Sequence, residues 1–212
     1  MLFRSGYKVR FKLIDWANKY SELEAGTIDC VWNGFTANCA DDDGVQRADK
    51  VDFSYYYMQN AQCVIRLNTT AEITEGAGFE GKSVAFEAGS AGASYIAEVA
   101  KTLPEDAINQ KGVTSQMDAV REVNAGTAQY AVVDILLAQS LAGQGDFANV
   151  TINEGIEIAA EYYAIGFKKG SDLTAKVNEK LVAYAANGKL ADLAKKYNLS
   201  SQVITDYSDQ IK

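Results

Sequence analysis

Hydrophobic positions along the chain alternate between strand-like and helix-like spacing. Residues 82–87 carry three apolar residues in a row, as a short buried strand does, and residues 93–101 space their larger apolar side chains as one helix face does. The small residues 89–92 lie between them. A strand that turns into a helix through small residues leaves backbone N–H groups unpaired at the positive end of the helix dipole. This stretch therefore predicts an anion-binding turn.

Strands and helices alternate in the same way along the rest of the chain. The predicted strands are residues 6–16, 29–36, 82–87, 129–134, 150–158 and 161–168, and residues 51–67 are predicted as an edge segment that leads into a long connecting strand. The predicted helices are residues 18–25, 93–101, 115–124, 135–142, 171–186 and 189–197. This order predicts an α/β protein. Connections near residues 60–64 and 159–161 predict two lobes, one of residues 1–62 and 161–212 and one of residues 63–160.

Composition excludes several classes of function. The 212-residue chain has a net charge of −8, which argues against nucleic acid or an anionic membrane surface as a partner, because both require a basic patch. It contains no histidine, so imidazole catalysis is excluded. No apolar run reaches the roughly 18 residues of a membrane span, and the first residues lack the apolar region of a signal peptide.

Neither a cofactor nor a metal site is predicted. Cys30, Cys39 and Cys63 show no zinc-ligand spacing and are interpreted as small buried hydrophobes, with a Cys30–Cys39 disulfide as the alternative. The acidic residues 41–43 lack the spacing of a calcium loop and are interpreted as a solvated turn.

One stretch of the chain matches a nucleotide-binding motif but lacks the strand and helix that such a motif requires on either side. Residues 76–83, GAGFEGKS, fit the Walker A pattern, but they follow a polar stretch and lead into the predicted strand 82–87. A phosphate-binding loop of that kind follows a strand and opens a helix. We therefore predict no nucleotide site there.

Several longer motifs resemble the polar amino-acid binding proteins of bacterial ABC importers. They read GYKVRFKLIDWANKYSELEAGTIDCVWNGFT, RADKVDFSYYYMQNAQCVI, FEGKSVAFEAGS and YYAIGFKKGSDL, and the resemblance extends over residues 6–197. It implies a periplasmic-binding-protein-like fold of type II, in which two α/β lobes joined by a hinge close on one amino acid. It also implies an extracytoplasmic receptor, periplasmic or anchored to the cell surface as a lipoprotein, that delivers its ligand to an ABC permease.

The resemblance implies ligand-binding residues in the first lobe. Gly34 would receive the amino group through its backbone carbonyl, and Thr36 would receive the α-carboxylate through its hydroxyl. Arg47 would clamp the same carboxylate in bidentate fashion. Its alternative is a surface ion pair, since acidic residues lie nearby. Eleven positions separate Thr36 from Arg47, where the family has about five.

Three further site residues are implied in the second lobe. The N–H groups of Ser90 and Ala91 would meet the α-carboxylate, in agreement with the anion-binding turn, and Ser90 would also cap the helix. Asp134, at the carboxyl end of a predicted strand, would pair with the α-ammonium. The alternative for Asp134 is the N-cap of the helix that starts at Ile135. Trp32 and the tyrosines at 55–57 are interpreted as core and hinge packing.

The amino-terminal residues depart from the family. Its first strand and helix would precede Gly6, so the first lobe is predicted to be truncated, and residues 1–5, MLFRS, are interpreted as a foreign junction. An exposed sheet edge predicts poor solubility, a strand-exchanged dimer or a need for the missing segment in trans.

Two alternative functions are compatible with such a fold. One is a ligand-sensing regulatory domain, and the other is a dehydratase-type enzyme, which the lack of histidine and of an acid–base pair makes the weaker alternative. The acidic residues 41–43 would suit a ligand with a cationic side chain.

Overall fold

The chain divides into two units in a computed structural model that describes residues 8–41 and 43–211. The first unit contains the described residues up to Asn38, Arg47–Gln59 and the residues from Tyr162 onward. Cys39–Gln46 and Asn60–Glu161 form the second unit. Residues 1–5, with their predicted junction, and Asp42 lie outside the described residues. The predicted α/β class is confirmed.

Helices and strands alternate along the described chain. The helices are Lys19–Glu24 (α1), Arg47–Lys50 (α2), Ala91–Ala100 (α3), Gln116–Asn124 (α4), Ile135–Leu141 (α5), Leu173–Ala186 (α6) and Lys189–Lys196 (α7). The strands are Asp52–Phe53 (β1), Met58–Leu67 (β2), Ser83–Glu87 (β3), Asn109–Val113 (β4), Tyr130–Asp134 (β5), Val150–Asn153 (β6), Ala160–Tyr163 (β7) and Gly166–Phe167 (β8).

The second unit is built on a mixed sheet in the order β4-β3-β5-β2-β6, with β7 also paired to β2. Strand β3 runs parallel to β4 and β5, and β2 runs antiparallel to β5 and β6. Alternate residues of β5 enter two cores: Ala131 and Val133 pack with α4 and α5, and Tyr130 and Val132 pack with α3. Because both faces are covered, the central strands are continuously apolar.

The first unit has a smaller sheet, in which β1 and β8 pair antiparallel. One core forms around Phe167 and Leu181 against α6, and Trp32, Tyr55 and Tyr57 pack against it, so their predicted packing role is confirmed. A second core forms around Phe35.

Four predicted strands differ from the structure. The strand predicted over residues 150–158 forms only as β6, which ends at Asn153. Residues 8–15 form no strand, and residues 29–36 form only single bridges at Val31 and Thr36. Residues 161–168 were expected as one strand but form β7 and β8, because Ala164 and Ile165 between them bond to Phe35 and the Ser54 hydroxyl instead of to a strand. In each case the alternating pattern is present but a continuous strand partner is not.

Strand β4 was not predicted. Its sequence NQKGV is polar because most of these residues are exposed at the edge of the sheet, where they pair only with β3. An edge strand of this kind lacks the apolar pattern by which buried strands are recognised.

Other predictions concern single motifs. Residues 76–83 contain a 3-10 turn, Gly76–Phe79, and end in β3, so the Walker A match leads into a strand as predicted. None of the three cysteines forms a disulfide in the described structure, so the disulfide alternative is wrong. Cys63 is buried, while Cys30 and Cys39 are only half-buried. Within the described part of the chain, the longest apolar helices are too short to cross a membrane.

Candidate functional site

The six predicted site residues divide evenly between the units. Gly34, Thr36 and Arg47 belong to the first unit. Ser90, Ala91 and Asp134 belong to the second.

Arg47 lies beside Thr36 in the first unit. Arg47 Nη1 donates to the backbone oxygen of Thr36 at 3.1 Å, and the guanidinium carbon lies 5.5 Å from the centroid of the Phe35 ring. The arginine is 1% exposed, so its interpretation as a surface ion pair is wrong. The eleven-position spacing does not separate the two residues, because the chain leaves the first unit at Cys39 and returns at Arg47.

Gly34 lies in a tight turn before Thr36. Asn33 and Gly34 both have positive φ, at 100° and 65°, between the bridges made by Val31 and Thr36. Glycine adopts this region without steric cost, whereas asparagine is one of the few other residues found there. The turn therefore accounts for a glycine at position 34.

The start of α3 has unpaired donors in the second unit. The Ser90 hydroxyl caps the helix by accepting from the Ala93 N–H at 3.1 Å. Within residues 8–41 and 43–211, the N–H groups of Ala91 and Gly92 have no acceptor. Donors of this kind, at the positive end of a ten-residue helix, can hold a carboxylate.

Asp134 ends β5 and immediately precedes α5. Asp134 occupies the N-cap position of α5, as the alternative interpretation predicted, but its side chain makes no capping hydrogen bond to the helix. The carboxylate instead accepts from Asn60 Nδ2 at 3.2 Å and from Gln62 Nε2, and the Asp134 N–H donates to Gln116 Oε1 at 2.8 Å. Among the described side chains, no lysine or arginine pairs with Asp134.

Three polar residues beside Asp134 were not predicted. Asn60, Gln62 and Glu161 are each about nineteen-twentieths buried, at 5%, 6% and 6% exposure. Gln62 lies directly opposite Asp134 in the register of β2 and β5, and β7 brings Glu161 to β2. The sequence does contain a signal for Asn60 and Gln62. They are polar residues at alternate positions, so they lie on one face of β2, immediately before its apolar run.

The charge of Asp134 affects its neighbour Cys63. Burial, and to a smaller extent the nearby Asp134 carboxylate, together raise the pKa of the Cys63 thiol to about 12. The thiol is therefore protonated at neutral pH. Cys63 lies in an apolar core with Ile65 and Val133, which confirms its interpretation as a small buried hydrophobe.

Comparison with protein families gives one match over most of the chain. The model described as bacterial extracellular solute-binding proteins, family 3, matches residues 3–200. The arginine-binding extracellular protein ArtP of Bacillus subtilis (strain 168) is 24% identical over 195 residues, which cover 92% of this chain and 72% of ArtP.

Solved structures of similar fold are also amino-acid binding proteins. An ancestral arginine-binding protein bound to arginine superposes with a TM-score of 0.79 at 27% identity, covering 90% of this chain and 80% of its own. A substrate-binding protein of an ABC uptake transporter from Streptococcus pneumoniae, with bound histidine, gives a TM-score of 0.76 at 26% identity and covers 92% and 77%. The predicted periplasmic-binding-protein-like fold is thus confirmed.

Proposed function

We propose, from the premise that the chain belongs to the bacterial extracellular solute-binding proteins of family 3, that it binds one free amino acid and delivers it to the permease of an ABC importer. The family consists of binding proteins, and we propose that this chain catalyses no reaction. The relatives described above bind arginine or histidine, so these two amino acids are the first ligands to test.

One observation carries this proposal: the second unit contains both a donor group for an anion and an acceptor for a cation. The N–H groups at the start of α3 suit a carboxylate, and Asp134 suits an ammonium group. A free amino acid has both charges. We assign its α-carboxylate to the N–H groups of Ser90 and Ala91 and its α-ammonium to Asp134. The Ala91 N–H is unpaired among the described residues, whereas the Ser90 N–H donates to the Glu87 carbonyl at 3.2 Å and would be shared with the ligand.

In the first unit we assign three residues to the same ligand. Thr36 and Arg47 are further partners of the α-carboxylate, and the Gly34 carbonyl is a further partner of the ammonium. The support for Arg47 is its burial beside Thr36, since a buried guanidinium is suited to bidentate recognition of a carboxylate.

The proposal includes a location and a self-association. The family is extracellular, and we propose that the protein acts in the periplasm or on the cell surface as a lipoprotein. We also propose that residues 8–15 pair with a second copy in a strand-exchanged dimer, because Phe11 and Leu13 on this segment are 82% and 99% exposed.

Isothermal titration with each of the twenty common L-amino acids tests the binding function. We expect at least one to bind, and Asp134→Asn to weaken that binding about 10- to 100-fold, because a charge-assisted hydrogen bond is lost. Asp146→Asn is the control, since Asp146 is exposed on the same unit, and it should leave the affinity unchanged. Binding of none of the twenty, or equal affinities for Asp134→Asn and the parent chain, would contradict the proposal.

A further inference from the structure

Three neighbouring strands of the second unit place polar side chains in one row. Gln62 on β2 is directly opposite Asp134 on β5, and Glu161 lies on β7, which pairs with β2. Asn60 precedes Gln62 by two positions and therefore points to the same face of the sheet. We call these four residues the amide–carboxylate cluster.

All N–H groups of the Asn60 and Gln62 side-chain amides donate hydrogen bonds within the cluster. Gln62 Nε2 donates to Glu161 Oε1 at 2.8 Å and to Asp134 Oδ1. Asn60 Nδ2 donates to the same two carboxylate oxygens, at 3.2 Å for Asp134. Each amide nitrogen has two hydrogens, so all four are engaged and the orientation of both amides is fixed by Asp134 and Glu161 together.

The oxygens of the two amides are left without donors. Asn60 Oδ1 and Gln62 Oε1 are both buried and accept no hydrogen bond in the described structure. Buried acceptors of this kind are rare in proteins, because desolvating them without a partner is costly. Two unpaired oxygens in one cluster therefore indicate donors that a bound group supplies.

The cluster lies on the face of the sheet that α3 covers. Tyr130 and Val132 share a core with Ala93 of α3, and Asp134 follows them at the same two-residue spacing. Gly92, in the first turn of α3, is so close that a Cβ atom there would lie 3.2 Å from Gln62 Oε1. The unpaired amide oxygen thus adjoins the unpaired N–H groups of the helix start.

We propose that Asn60 and Gln62 bind the α-ammonium of the ligand directly, through Asn60 Oδ1 and Gln62 Oε1, beside Asp134. Glu161 is a positioning residue, because it holds both amides with their oxygens turned away from the carboxylates. An ammonium group has three N–H donors, and the cluster offers it the Asp134 carboxylate and the two amide oxygens as acceptors, in addition to the Gly34 carbonyl assigned above. This inference deepens the proposed function and rests on it.

A charged group fits the cluster better than a neutral one. Two carboxylates accept from the same two nitrogens, so they lie close together, and Glu161 is almost fully buried. The negative charge of the Asp134 carboxylate attracts a cation, and a neutral group gains no such attraction. The cluster should therefore discriminate between an amino acid and its analogue without the α-amino group.

The experiment compares two probes on the full chain. The probes are the amino acid that binds most tightly among the twenty and its analogue with hydrogen in place of the α-amino group. Binding is measured by isothermal titration, and weak binding by displacement of the amino acid. The test variants are Gln62→Met, which keeps the side-chain length without the amide, and Glu161→Gln. The controls are Gln110→Met and Glu157→Gln, at exposed positions of the same unit.

We expect Gln62→Met to weaken amino-acid binding about 10- to 100-fold and to change binding of the analogue by less than about 2-fold. Glu161→Gln should show the same selective loss at about 5- to 10-fold, and both controls should match the parent chain. Thermal unfolding checks that each variant is folded, and if Gln62→Met is not, Glu161→Gln decides alone.

Two results separate the inference from the function it rests on. If the parent chain binds an amino acid but the test variants keep its preference over the analogue, the inference is overturned and the binding function stands. If the parent chain binds none of the twenty amino acids, both are overturned.

Discussion

Arg47 has two measurable roles at the scale of single residues, one in the fold and one in the proposed site. Replacing it with methionine removes the donor to the buried Thr36 carbonyl, and we expect the free energy of unfolding to fall by about 1–3 kcal/mol. The proposed loss of a carboxylate clamp should weaken amino-acid binding about 10- to 100-fold. Urea unfolding and isothermal titration measure the two effects separately.

Arg121→Met is the matched control for Arg47→Met. Arg121 pairs with Asp118 on the exposed surface of α4, with 65% of its side chain exposed. An exposed pair contributes little, so we expect a change in stability within about 0.5 kcal/mol and unchanged ligand affinity. Equal effects of the two substitutions would show that the buried Arg47 contributes no more to stability or ligand affinity than an exposed arginine does.

Cys63 should be the least reactive thiol of the native protein. Its pKa is raised to about 12, chiefly by burial, and the thiolate is the reactive form. At pH 8 we expect a colorimetric thiol reagent to modify Cys63 only as fast as the protein opens, and all three thiols at once in denaturant. The variant Cys63→Ala should lose the slowest phase. A Cys63 that reacts in native protein as fast as in denaturant would contradict the prediction.

The same thiol makes stability depend on alkaline pH. The unfolded thiol has an ordinary pKa of 9.0, whereas the folded thiol keeps its proton up to about pH 12. Between these values the native state binds more protons than the unfolded state, so stability falls as pH rises. Urea midpoints from pH 8 to pH 10 should therefore fall less in Cys63→Ala than in the parent chain.

The sequence alone predicts some of the proposed site residues and misses others. Arg47 and Asp134 were predicted because they stand at recognisable motif positions. Burial of Arg47 overturns its alternative as a surface ion pair, whereas Asp134 does occupy the N-cap position of α5, without a capping hydrogen bond. Gln62 and Glu161 were missed because a polar residue in a predicted strand is usually solvent-facing. Their burial depends on β5 and β7 lying on either side of β2, and strand order cannot be read from the spacing of residues in one strand.

At the scale of elements, β8 depends on a glycine that touches an aromatic ring. A Cβ atom at Gly166 would lie 2.5 Å from Phe35 Cε1, and the Phe35 ring is fully buried against Phe53 and Trp16. The ring has no free space, so Gly166→Ala should lower the free energy of unfolding by about 1–3 kcal/mol. Urea unfolding monitored by aromatic fluorescence measures this change.

Gly112→Ala is the control in another strand. A Cβ atom there would come no closer than 3.7 Å to any neighbour, which is an ordinary contact. We expect a change within about 0.5 kcal/mol. A Gly166→Ala variant as stable as Gly112→Ala would contradict the close packing of Phe35.

Elements were predictable where they are buried. The apolar runs of β3 and β5 and the helix α4 were predicted within one or two residues, because core packing imposes their patterns. Strand β4 was missed because an exposed edge imposes no pattern. Residues 8–15 show the reverse error, since they alternate like a strand but lie outside any described sheet.

At the scale of the whole molecule, the alternating apolar and basic residues of 8–15 form the segment through which we propose that two copies associate. Phe11 and Leu13 are the most exposed of the large apolar side chains described, and Lys8, Arg10 and Lys12 alternate with them. Such a segment can gain a strand partner and bury apolar surface at about 25 cal/mol per Å² when it pairs with another copy.

Leu13→Lys tests this pairing, because it places a charge in the strip that a second copy would cover. We expect sedimentation velocity of the parent chain to show a dimer that grows between about 1 and about 100 µM protein, and Leu13→Lys to remain monomeric. Leu193→Lys is the control, since Leu193 is an exposed apolar residue of α7 at 45% exposure, and it should associate like the parent chain. A monomeric parent chain would contradict the dimer, and association of Leu13→Lys at parent levels would show that residues 8–15 do not form its interface.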